Sequence, residues 1–188
     1  MKNGIVILFS ALLVLGLLSP AMAGSKAEKA EQKRKAIDEM ASNVLSELFE
    51  KKSAAKELDA KAYGYAVFDN WKISLLLASG RGGGVAVVKE SDARTYMKMG
   101  TLGLNVGLGV QKMRVVFLFQ NQATFDRFIN KGWKADASAN AAIGKSGANV
   151  DAQFVNGVAV YQFTDKGLML QADISGTKYY KNKKLNRN

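Results

Sequence analysis

Three patterns in this chain combine residue types that do chemistry elsewhere. Ser53-Ala54-Ala55-Lys56 has the spacing of serine–lysine acyl enzymes, in which the amine takes the hydroxyl proton. Gly144-Lys145-Ser146 is similar to the end of a phosphate-binding loop. The third pattern is a run of cations, Lys26, Lys29, Lys33, Arg34 and Lys35, with Arg81 further along in a glycine cluster. Cations so spaced attract oxyanions on a surface or polymer. The first two patterns fail on their own terms. Four-residue serine–lysine matches are common in helices, and the companion motifs of those enzymes are absent. The phosphate loop needs a glycine five positions before Gly144, where Ala139 stands. Asp136, Asp151 and Asp165 are scattered, with no spacing that makes a metal site or an acid–base pair.

Composition narrows the chemistry further. The 188 residues contain no His and no Cys. Imidazole is the usual general base near neutral pH and the commonest metal ligand. Ser-His-Asp and Cys-His triads, thiol chemistry, disulfides and the common zinc sites are therefore excluded. The expectation is a protein that is not an enzyme and uses no cofactor. The remaining signal is charge: 27 Lys and Arg against 16 Asp and Glu, a net +11. Such a balance suits anionic membrane surfaces, nucleic acid or solubility alone.

The elements that must carry these residues read as follows. Met1 and Lys2, the apolar run Ile5–Leu18, and then Pro20 and Ala21-Met22-Ala23 form a signal peptide, with cleavage expected near Ala23. The apolar run of about 14 residues falls short of the ~20 needed to span a bilayer. The expected location is periplasmic or secreted, which makes nucleic acid a poor partner. Residues 24–60 are rich in helix formers and lack proline. Ile37, Met40, Ala41, Val44 and Leu48 recur at three- and four-residue steps and share one face. That stripe either packs on the domain core or inserts into a membrane. The charged stretch Lys26–Lys35 reads as a solvated lead-in to it.

Residues 61–180 change character to short, turn-punctuated strands. Candidates are 63–68, 71–79, 85–89, 103–110, 113–119 and 135–140, with a hairpin over 157–164 and 167–174, and a loop around Ser91-Asp92 leads to Thr95–Met99. A short helix is expected over 121–131, and Gly80–Gly84 reads as punctuation between strands. Leu104, Val106, Leu108 and Val110 alternate with Gly103, Asn105, Gly107 and Gly109, leaving one face almost bare for close approach. Residues 181–188 read as a basic tail, loosely ordered at its end. The fold class is α+β: an N-terminal amphipathic helix packed on a curved, mainly antiparallel sheet or barrel of about eight strands.

The order of Tyr63-Gly64-Tyr65-Ala66-Val67-Phe68, the Gly80–Gly84 cluster, Gly103–Gly109 and Val115–Phe119 resembles the SYLF domain family. So do Trp133-Lys134-Ala135-Asp136-Ala137-Ser138-Ala139, and Tyr161 followed by Thr164-Asp165-Lys166-Gly167-Leu168. The likeness runs from about Ala60 to Tyr180. Asp69-Asn70-Trp71-Lys72 departs from it, standing where a proline-containing turn and a glycine-rich strand are expected. Eukaryotic members bind phosphoinositide-containing membranes and some bind actin filaments; bacterial members are typically exported. The resemblance implies a lipid-binding module without catalytic residues, and an actin role does not suit an exported protein. Two functions are therefore expected in order: adsorption to anionic phospholipid surfaces through Lys26, Lys29, Lys33, Arg34, Lys35 and Arg81, or a structural or protein-interaction domain with a partner in the cell envelope.

Overall fold

A computed structural model describes residues 25–69, 81–101, 114–134, 153–164, 167–170 and 177–187. The expected signal peptide and the expected strands at 71–79, 103–110, 135–140 and 171–174 lie outside the described residues. Two helices come first, α1 (Lys26–Lys51) and α2 (Ser53–Ala60), followed by strand β1 (Gly64–Asp69). Strands β2 (Arg81–Val88), β3 (Arg94–Thr101) and β4 (Arg114–Phe119) lead to helix α3 (Gln122–Lys131). Strands β5 (Trp133–Lys134), β6 (Val158–Thr164), β7 (Gly167–Leu170) and β8 (Thr177–Lys181) complete the described elements. The strands form one antiparallel sheet in the order β5-β8-β3-β2-β1-β4-β6-β7. It is a curled half-barrel with the N-terminal helix packed on it, the α+β architecture that the sequence leads one to expect.

The helix start is set locally. Ser25 accepts from the Glu28 amide at 3.2 Å while its own amide donates to the Glu28 carboxylate at 2.6 Å. This reciprocal pair satisfies two amides that the first turn leaves without helical partners. One continuous helix to Ala60 was expected; the chain instead breaks at Lys52, whose backbone is extended (φ −144°, ψ 95°). Beyond the break, Ala55 and Leu58 of α2 join the same core as the α1 stripe.

Strand alternation sends side chains to two cores. Val67, Val85, Val87, Val116, Leu118 and Tyr161 face α1 and α2, where Ile37, Met40, Ala41, Val44 and Leu48 are all buried. The apolar stripe of α1 therefore packs on the sheet. Phe68, Met97, Met99, Phe117, Phe119 and Tyr179 face the other way, onto Phe125 and Phe128 of α3. The rings of Phe117 and Phe128 lie 5.0 Å apart, and those of Phe68 and Tyr179 4.7 Å. Because both faces are covered, β4 reads as the unbroken apolar run Val115–Phe119 rather than as an alternation.

Two expectations are corrected. The Gly80–Gly84 cluster is not punctuation: from Arg81 onward it is strand, with Gly82 opposite Met99 and Gly84 opposite both Phe68 and Met97. A Cβ on Gly84 would overlap the Val67 carbonyl oxygen and the Phe68 ring, so the bare backbone admits that ring to the core. The segment expected as a loose tail is likewise packed. Lys181 ends β8 opposite Met97 of β3, and the turn after it buries Leu185.

Candidate anion-binding groove

A groove opens in the described surface where α1 begins. The first turns of the helix lie against β3 and the end of β8, and the turn Asn182–Arg187 closes the fourth side. The groove has a volume of about 700 Å³. Six cations line it: Lys26, Arg34, Arg94, Lys181, Lys184 and Arg187. Ala27, Ala30, Tyr96 and Leu185 supply apolar surface between them.

Hydrogen bonds fix the walls. Arg34 donates through Nε to the Leu185 carbonyl at 2.9 Å and through Nη2 to the Arg187 carbonyl at 3.0 Å. Its Nη1 pairs with Glu31 at 2.9 Å. The Asn186 side chain mimics a strand partner: Oδ1 accepts from the Tyr96 amide at 2.9 Å and Nδ2 donates to the Tyr96 carbonyl at 2.7 Å. Arg94 is held by Asp38 at 2.9 Å and Asp92 at 2.8 Å. The Asp92 hydrogen bond pushes the Arg94 guanidinium further into its protonated range, and Asp38 adds to this against the cost of burial. Tyr96 donates to Asp38 at 2.9 Å. Burial, with that hydrogen bond second, pushes its phenol up to about 12, so it stays a neutral donor.

The other cations are open. Among the described residues, Lys181 reaches only the neutral Asn130 amide oxygen, at 2.8 Å. Lys26, Lys184 and Arg187 are exposed, with no carboxylate partner among the described residues. The groove thus has two pinned guanidiniums in its walls and four accessible cations around its rim. Glu31, Asp38 and Asp92 offset the two wall guanidiniums, so the groove's excess positive charge, which raises the local concentration of anions, comes from the four rim cations.

The sequence-expected residues divide. Lys26 and Arg34 line the groove, but Arg34 binds carbonyls of its own chain. Lys29 and Lys35 are exposed and outside the lining, Lys35 standing 4.0 Å from Glu39. Lys33 is half-buried and also outside the lining. Arg81 opens β2 opposite Gly100, and its side chain lies outside the described residues. Sequence reasoning missed Arg94, Lys181, Lys184 and Arg187. The basic character of the last three was visible, but not that they lie 150 residues along the chain beside the start of α1. Ser53 and Lys56 are both exposed on α2, with no hydrogen bond between them among the described residues.

Comparison with known proteins bears on this geometry. The family model described as "Ysc84: Las17-binding protein actin regulator" matches residues 100–188, which include β4, α3, β5 to β8 and the turn that closes the groove. These residues belong to the SYLF family. Beta cell expansion factor A of Aeromonas veronii, a SYLF-domain protein, is 44% identical over 156 residues. The match covers 83% of this chain and 60% of that protein. The chain therefore spans about three-fifths of the length of that relative. In the SYLF segment here, Lys181, Lys184 and Arg187 supply half of the groove's cations.

Proposed function

We propose that this SYLF protein is an exported, non-catalytic module that adsorbs to anionic phospholipid surfaces. The observation that carries the proposal is the convergence of four accessible cations, Lys26, Lys181, Lys184 and Arg187, on one groove, with Lys29 and Lys35 also exposed on α1. The signal-peptide pattern of residues 1–23 supports export, and a sequence without His or Cys supports the non-catalytic reading. The apolar stripe of α1 is buried against the sheet, so adsorption works through charge rather than through insertion of that stripe. Each Lys or Arg near an anionic surface contributes about 1 kcal/mol, enough in a cluster of this size for reversible binding. No described helix is long and apolar enough to cross a membrane.

Sedimentation with liposomes of graded phosphatidylglycerol content tests the proposal. The expected result is binding that rises with anionic lipid and falls steeply as salt shortens the screening length. Indifference to lipid charge would remove it and leave the envelope protein-interaction reading, in which a protein partner co-purifies.

A further inference from the structure

We propose that Ser25 and Glu28 form a stop that keeps the processing site of the signal peptide out of helix α1, so that the Ala23–Gly24 bond stays open to a signal peptidase. The inference rests on the export reading and adds to it the residues that guard the cut. A helical backbone satisfies its N–H and C=O groups internally, whereas an extended one leaves them free to pair with an enzyme as a strand does. Hydrolysis then adds water across the bond, leaving the carboxylate on Ala23 and the amine on Gly24.

Apart from Gly24, the residues just before Ser25 do not oppose a helix. Ala21, Met22 and Ala23 carry the small-x-small pattern, and all three are good helix formers. Ser19-Pro20 even offers them a start, since serine is favoured at the cap and proline at the first helical position. A helix begun there would run through Gly24 and Ser25 into α1 and take in the scissile bond.

Ser25 marks where that is prevented. Its backbone is extended (φ −55°, ψ 162°) directly before the 26 residues of α1. Its hydroxyl accepts from the Glu28 amide at 3.2 Å, and its own amide donates to the Glu28 carboxylate at 2.6 Å. A helix running through Ser25 would claim both amides for upstream carbonyls and break both bonds. The device spans only four residues, so it can form on the chain before the domain folds. Both partners lie on the mature side of the cut, so the helix start survives cleavage.

Processing kinetics test the inference. The full precursor, residues 1–188, is synthesised with bacterial inner-membrane vesicles, conversion to the mature chain is followed in time, and mass spectrometry locates the cut. Gly24→Ala with Ser25→Ala should slow conversion about threefold or more, the order of the population shift from one lost cap. Ser25→Asn, which also caps, should convert like the parent. Lys26→Pro added to the double variant should restore the parent rate, because proline fits the first turn of α1 and blocks a helix arriving from upstream. Ser25 and Lys26 are exposed, so these changes leave the core untouched.

A double variant that converts at the parent rate overturns the inference. So does a slowing that the proline does not relieve, which would place the effect in contacts of residues 24 and 25 with the peptidase. A parent chain that is never cut removes the export reading and the inference with it. A parent cut after Ala23 beside variants that behave in either overturning way removes the inference alone and leaves export standing.

Discussion

Glu47 shows how a single α1 side chain is put to use on the core side of the sheet. It accepts from both Nη1 and Nη2 of Arg114 on β4 and from Lys51 Nζ at 2.7 Å, and both cations lie over the Phe163 ring. The Arg114 hydrogen bond first, and the Lys51 bond next, hold its carboxyl at about 2, well below its ordinary value of 4.5. Because the folded-state value is depressed, the stabilisation is complete above about pH 4.5 and is lost as pH falls through about 2. Glu47 is 29% exposed, so solvent screening limits the contribution to about 1–2 kcal/mol. Urea unfolding of Glu47→Gln should show that loss at pH 6. The gap between variant and parent should close as pH is lowered toward 2. A gap that persists unchanged at the lowest pH would mean that Glu47 acts through packing and not through charge.

At the scale of elements, β2 is the strand on which the sheet's geometry depends. It pairs with β1 and β3, and Gly84 faces the Phe68 ring and the Val67 carbonyl where no Cβ fits. Replacement with Ala must push apart either the backbone ladder or the Phe68, Phe117 and Tyr179 ring cluster. Overpacking of that kind costs about 1–3 kcal/mol. Gly100 on β3 has nothing within 4 Å of its Cβ position among the described residues. Gly84→Ala should therefore lower the urea midpoint markedly while Gly100→Ala changes it little. Equal effects would mean that glycine's backbone freedom matters here and its missing side chain does not. The two cores also explain why α1 and α3 differ in composition. α1 covers aliphatic strand positions with Ile, Met, Val and Leu, whereas α3 inserts Phe125 and Phe128 into an aromatic layer.

Across the whole molecule, Arg34 ties the beginning of the described chain to its end. It binds two carbonyls of the final turn, and its guanidinium lies 6.0 Å from the centre of the Tyr96 ring. Arg34→Ala should cost about 1.5–3 kcal/mol, the range for hydrogen bonds to a charged group. It should also speed amide exchange at Leu185 and Asn186, whose amides close the turn onto Asn182. Unchanged exchange there would show that Asn186 and the burial of Leu185 hold the turn without the arginine. The sequence by itself determined whatever depends on near neighbours. The α1 stripe at helical spacing, the apolar run of β4, the Gln122–Lys131 helix and the β6–β7 hairpin were all legible, because periodicity records which face is buried. The basic excess and the absence of His and Cys were legible as well, since composition alone carries them. Tertiary structure decided the remainder. A glycine run reads equally well as turn or strand until a neighbouring ring is seen to need the space. A basic C-terminal segment reads as a solvated tail until β3 offers an edge to pair with and Arg34 a donor to its carbonyls. The groove exists only because residues about 150 positions apart in sequence meet in space, and neither charge pattern nor periodicity encodes that meeting.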